Sequence, residues 1–162
     1  MRKIKIGDKE FTLKYSMRAT LQNDCIKMIT KVLVESDSDA TKAGDIAEMT
    51  ADVIPTVIES WYAGLIEAHG MHRYGDGSVP DKETANDLLF QLIEENTDAE
   101  DTLYGDYFGV LQVIIECMND DGFFKKIGLE RIFTTQTETT AEVTPKAKRG
   151  RPKKETTENG EK

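Results

Sequence analysis

The sequence predicts a mainly α-helical fold, a bundle of about five to six helices behind a small N-terminal β-hairpin, with a disordered C-terminal tail. Three observations predict it. Apolar residues recur at three- and four-residue spacing in successive stretches from Leu21 to Met118, strict alternation is confined to the first fifteen residues, and strongly apolar residues almost vanish after Phe133. With 162 residues the chain fits one domain, residues 1–133, and a tail, residues 134–162.

The hairpin comes first. Ile4 and Ile6 alternate with lysines, Gly7-Asp8-Lys9-Glu10 supplies the turn, and Phe11, Leu13 and Tyr15 resume the alternation. A lone hairpin is marginal in water, so its apolar face is expected to lie on the helices. Ser16 is the expected N-cap of a first helix running to about Glu35, with Leu21, Cys25, Met28, Ile29 and Val32 on its buried face. The polar stretch Ser36-Asp37-Ser38-Asp39 breaks it. A second helix is expected over Gly44 to Ile54, with Ile46, Met49 and Val53 inward, and Pro55 is expected to start a new helix or a kink.

The helix after Pro55 carries Val57, Ile58, Trp61, Leu65 and Ile66 inward and stops at His69-Gly70, where Gly70 is expected to take the left-handed terminal conformation. Met71 to Pro80 reads as an exposed, turn-rich loop. Asp81 caps the next helix, which buries Ala85, Leu88, Leu89, Leu92 and Ile93. Thr97-Asp98-Ala99-Glu100 has the form of a capping box and is expected to open a helix through Met118, with Leu103, Tyr107, Val110, Leu111, Ile114 and Met118 inward. Asn119-Asp120-Asp121-Gly122 ends that helix.

Charge divides the chain. Residues 134–162 hold seven Lys/Arg against five Asp/Glu, a net of +2, whereas residues 1–133 hold 14 against 25, a net of −11. An acidic body repels phosphates and is not expected to be a nucleic-acid platform. No apolar run approaches the roughly 18 residues that cross a bilayer. The opening Met1-Arg2-Lys3-Ile4-Lys5 lacks a signal-peptide stretch, so a cytoplasmic protein with no membrane contact is expected. Cys25 and Cys117 fall in apolar helical stripes and are expected to be buried and reduced.

Catalytic chemistry is hard to find. The two histidines, His69 and His72, with Asp76 nearby, have a spacing that brings them toward one metal, but the helix end at Gly70 breaks the geometry. Solvated loop histidines are the preferred reading, and neither a metal nor a cofactor is expected. The chain has no phosphate-binding loop, dinucleotide fingerprint or nucleophile elbow, so no enzymatic activity is expected.

Two segments suggest binding. Phe123, Phe124, Ile127 and Phe133 are either the last buried piece of the core or a patch on which a partner protein docks. In the tail, Pro145 to Lys154 holds six positive charges and no acid. Within it, Lys148, Arg149, Gly150, Arg151, Pro152, Lys153 and Lys154 resemble an AT-hook, whose arginines enter the narrow minor groove of A·T tracts. The alternative is a solubilising, flexible basic tail that touches nucleic acid weakly.

The order of elements resembles a known family. Lys5-Ile6-Gly7-Asp8-Lys9-Glu10-Phe11-Thr12-Leu13-Lys14-Tyr15-Ser16-Met17-Arg18-Ala19 leads into the first helix. Trp61-Tyr62-Ala63-Gly64-Leu65-Ile66-Glu67-Ala68-His69 closes a middle helix, and Val79-Pro80-Asp81-Lys82-Glu83-Thr84 opens the next. Over roughly residues 1–130 these resemble the tail assembly chaperones of long-tailed, non-contractile bacteriophages. The resemblance implies a non-enzymatic protein of the host cytoplasm. Its implied partners are the tape measure protein, which it keeps soluble, and the tail tube protein, whose subunits it helps recruit. It is then absent from the mature virion. Many members also exist in a longer, frameshifted form. Self-association is a further expectation, and the basic tail departs from the simplest family pattern.

Overall fold

Alternation of Ile4 and Ile6 with Phe11 and Leu13 produces the hairpin in the computed structural model, which describes residues 1–35, 43–100 and 102–130. Strands β1 (Arg2–Ile6) and β2 (Lys9–Leu13) pair antiparallel, with Ile4 opposite Phe11 and Ile6 opposite Lys9. The turn is shorter than predicted: only Gly7 and Asp8 form it, and Lys9 and Glu10 belong to β2. A two-residue connection matches strand twist when its first residue has positive φ, and Gly7 has φ 57°. Ile4, Ile6, Phe11 and Leu13 are buried on one face, followed by a fully buried Tyr15. On the other face Lys3 Nζ pairs with Glu10 Oε1 at 2.6 Å.

The first helix is broken where one was predicted. Ser16 Oγ accepts the Arg18 amide and caps a 3-10 turn, Met17–Leu21, and helix α1 (Asn23–Glu35) begins only after Gln22. The restart changes the helical phase. Ala19 is buried and Leu21 is 69% exposed, while Cys25 and Ile29 face fully inward.

Helix α2 (Ala43–His69) runs unbroken through Pro55, so no new helix starts there. An interior proline costs about 3 kcal/mol. Burial on both sides of it offsets that cost: Val53, Val57, Trp61 and Leu65 repeat every four residues on one inward stripe. Thr56 Oγ1 also donates to the Asp52 carbonyl at 2.6 Å, one turn back. Ile58 is only half-buried, and the side chains of Ile46 and Met49 lie outside the described set. α2 is the centre of the fold, touching α1, the 3-10 turn, β2, α3 and α4.

The hairpin comes close to α2 at Gly64. A Cβ there would lie 2.6 Å from Leu13 Cδ1 and 2.7 Å from Tyr15 Cζ. The Tyr15 ring cannot swing away, because its hydroxyl donates to the Ser60 carbonyl at 2.8 Å. Gly64→Ala is therefore expected to lose about 1–3 kcal/mol of stability by overpacking, despite alanine's better helix propensity. A urea titration followed by circular dichroism checks this.

Asp81 caps α3 (Lys82–Asn96) as predicted, its Oδ1 accepting the Thr84 amide at 2.8 Å. Ala85, Leu89 and Leu92 are buried, whereas Leu88 and Ile93 are half-buried. The helix predicted to open at Thr97 starts only at Tyr107. Thr97 is itself helical (φ −57°, ψ −37°), so it lacks the extended backbone of an N-cap and ends α3 instead. Its hydroxyl turns back to the Ile93 carbonyl at 2.7 Å. The next helix, α4 (Tyr107–Asp120), is capped by Asp106, whose Oδ1 accepts the Gly109 amide at 2.8 Å. Leu103, assigned inward, precedes the helix and is 38% exposed. Val110, Leu111, Ile114 and Met118 are buried as expected.

Gly122, with φ 62°, turns the chain into a short helix α5 (Phe123–Lys126). The Phe123 ring lies 5.9 Å from that of Tyr15. Asp121 ties the two ends of this unit together: its Oδ2 accepts the Tyr15 amide at 2.7 Å, and Oδ1 meets the Met1 ammonium group. Cys25 and Cys117 are buried free thiols, and burial pushes the Cys25 thiol up to about 11. The chain divides into Met1–Glu130 and Arg131–Lys162. The expectation of a disordered tail falls on the second part, outside the described residues.

Candidate functional site

The residues singled out for chemistry meet at the C-terminal end of α2. His69 was expected to be a solvated loop residue, but it is buried against Phe11, with ring centroids 5.3 Å apart. Its Nε2 accepts the Thr12 amide at 2.8 Å, so Nε2 carries no proton. The proton sits on Nδ1, which lies 2.9 Å from Asp76 Oδ2 and 3.0 Å from Ser78 Oγ. This arrangement covers part of the open edge of β2. Thr12 and Lys14 turn their amides away from β1, and α2 accepts both, the second through the Gly64 carbonyl at 2.9 Å.

His72 holds the opposite tautomer. Its Nε2 donates to the Ile66 carbonyl at 2.5 Å and its Nδ1 accepts the Tyr74 amide at 3.1 Å. Each ring thus has its lone pair taken by a backbone amide. Neither is free to ligate a metal without breaking that bond, and no cluster of metal-binding side chains occurs among the described residues. The two histidines lock a loop.

That loop, residues 70–80, is held from within and below. The Asp76 amide donates to the Ala68 carbonyl at 2.9 Å and the Val79 amide to the His69 carbonyl at 2.8 Å. Val79 is fully buried within a loop that is otherwise largely exposed, as expected. Gly70 does not take the left-handed conformation assigned to it; it is needed for space, because a Cβ would sit 2.6 Å from the Ile66 carbonyl oxygen. Around it lies an open depression of about 370 Å³, lined by Gly70, Met71, His72, Gly75, Asp76 and Gly77.

Two predictions arise here. His69→Ala orphans the Thr12 amide and is expected to cost about 1–3 kcal/mol, whereas His69→Gln, whose carbonyl reaches the Nε2 position, recovers part of it. Hydrogen exchange at Thr12 reads the difference directly. The second concerns acid. The Ser78 hydroxyl and amide, with a smaller contribution from His69, hold the Asp76 carboxyl down at about 2. A depressed carboxylate stabilises the fold fully above its unfolded pKa of about 4 and loses that contribution as pH falls through about 2. The stability gap between the protein and Asp76→Asn is therefore expected to narrow over that interval.

Phe123 and Phe124 belong to the core. Both are buried and Ile127 is half-buried, so the two phenylalanines offer no exposed docking patch. Phe133 and the hook-like residues Lys148, Arg149, Gly150, Arg151, Pro152, Lys153 and Lys154 lie outside the described residues. No family model, curated protein or solved structure matches this chain.

Among the described residues no helix is long and apolar enough to cross a membrane. Sequence reasoning missed Phe90, which is 43% exposed on α3, and Phe108, exposed on α4. A signal for Phe90 was present: its helical neighbours Asp87 and Glu94, three back and four on, are both acidic.

Proposed function

We propose that this chain is a tail assembly chaperone of a long-tailed, non-contractile bacteriophage. In this reading it is a non-enzymatic protein of the host cytoplasm that keeps the tape measure protein soluble, helps recruit tail tube subunits around it, and is absent from the mature virion. The observation that carries the reading is spatial. The three segments that resemble the family, Lys5–Ala19, Trp61–His69 and Val79–Thr84, are contiguous in the fold. Leu13 and Tyr15 pack on Gly64, Thr12 bonds His69, and the Val79 amide bonds the His69 carbonyl. An acidic surface carrying exposed Phe90, Leu103 and Phe108 supports it further, since such a surface shields a partner's apolar helix while resisting aggregation. Co-expression with the tape measure protein encoded beside it is the test: improved solubility and co-purification are expected, and the lack of both overturns the reading.

A second reading rests on the tail. Arg149-Gly150-Arg151-Pro152, flanked by lysines, suits the minor groove of A·T-rich duplex. It requires salt-dependent binding that is lost when Arg149 and Arg151 become Ala, and undetectable binding at low salt removes it.

A further inference from the structure

We infer that a second copy of this chain docks here, with the 71–74 loop of one copy seated on the Phe90 face of α3 in the other. The loop is the most exposed apolar feature among the described residues: Met71 is 74% and Tyr74 is 70% exposed. Between them stands Arg73, its guanidinium 5.6 Å above the Tyr74 ring. Arg73 is the only Lys or Arg from residue 43 to residue 81, and it has no ion-pair partner among the described residues. An arginine without an ion-pair partner among the described residues, set between a methionine and a tyrosine in a net-acidic body, has the composition of an interface centre.

The loop is also set before any partner arrives. Both histidines, the Asp76–Ser78 bonds and the amides of Asp76 and Val79 fix its backbone. Little ordering entropy remains to be lost on docking.

The complementary surface lies on the same molecule. Phe90 projects from α3 with Asp87 and Glu94 on the same helical face, one turn to either side. Both acids are exposed and have no ion-pair partner among the described residues. The Phe90 face thus offers an apolar centre between two carboxylates, and the loop offers two apolar side chains around one guanidinium. Apolar surface meets apolar surface while Arg73 lies between Asp87 and Glu94 of the other copy. Two loops meeting each other instead would bring Arg73 against Arg73, and two α3 faces would oppose four carboxylates. The contact is small, so the association is in the micromolar range and salt-sensitive.

Sedimentation velocity of the full chain across a micromolar concentration series tests this. The protein is expected to self-associate, into a closed dimer or a growing chain, and to dissociate with added salt. Arg73→Glu is expected to weaken association about tenfold or more, as is Asp87→Lys combined with Glu94→Lys. Combining all three restores it, because the charges are then exchanged across the contact. Phe90→Ser weakens it without lowering thermal stability. A protein that stays monomeric throughout the series, or one whose association ignores Arg73→Glu, overturns the inference. So does a triple variant no better than its parents while each remains fully folded by circular dichroism. None of these outcomes depends on binding to a tape measure protein, so this inference and the proposed function stand or fall separately.

Discussion

Trp61→Ala is expected to remove about 3–5 kcal/mol of stability, a large share of the 5–15 kcal/mol typical of a small domain. Trp61 is the single tryptophan, fully buried on α2, and its indole Nε1 donates to the Ala85 carbonyl of α3 at 3.0 Å. Its removal opens a cavity between the central helix and α3, where the surrounding helices can relax only in part. The Ala85 carbonyl keeps its place in the α3 ladder, so the loss comes mainly from packing. Trp61→Phe refills most of the space and is expected to lose distinctly less. Because the substitution deletes the fluorescent reporter, urea unfolding followed by circular dichroism is the suitable measurement. A midpoint unchanged by Trp61→Ala contradicts its placement in the core.

Phe123→Ala carries an effect of similar size, about 3–5 kcal/mol, and separates two meanings of an aromatic residue. Phe123 is fully buried against Tyr15 and Phe124, with ring centroids 5.9 and 6.1 Å away. Loss of a partner's binding in this variant therefore reflects loss of the fold. Phe90→Ser, at an exposed position, is expected to change stability by no more than about 0.5 kcal/mol. Thermal melts of the two variants side by side distinguish buried from displayed aromatics. Equal melting temperatures contradict the assignment of Phe123 to the core.

The hairpin and the apolar faces of α2, α3 and α4 were legible in the sequence, because period-two and period-four spacing follow directly from backbone geometry. Element starts were legible where one side chain decides them, as at Asp81. They were misread where two signals compete. Thr97-Asp98-Ala99-Glu100 spells a cap, but Thr97 stays helical, and Asp106, followed by an apolar run, caps α4 instead. Pro55 signals a break, but inward residues on both sides of it hold α2 together. The functional residues were harder still. His69 reads as a loop histidine because its decisive partner, the Thr12 amide, lies 57 residues away. Gly64 carries no local mark, since its need arises from Leu13 and Tyr15 across the fold.

The bond from Asp121 to the Tyr15 amide has a consequence for how the chain is made. Its partners are 106 residues apart, and Arg2 reaches Glu116 across 114. At about 5–20 residues per second, a ribosome delivers Asp121 some 5–20 seconds after Tyr15 has been synthesised. The hairpin is thus the earliest element translated and among the last completed. Leu13 is covered once α2 has been made, because it packs on Gly64, but the Tyr15 amide waits for Asp121. Contacts of such long sequence separation raise the contact order, so folding is expected to be slower than the helix content suggests.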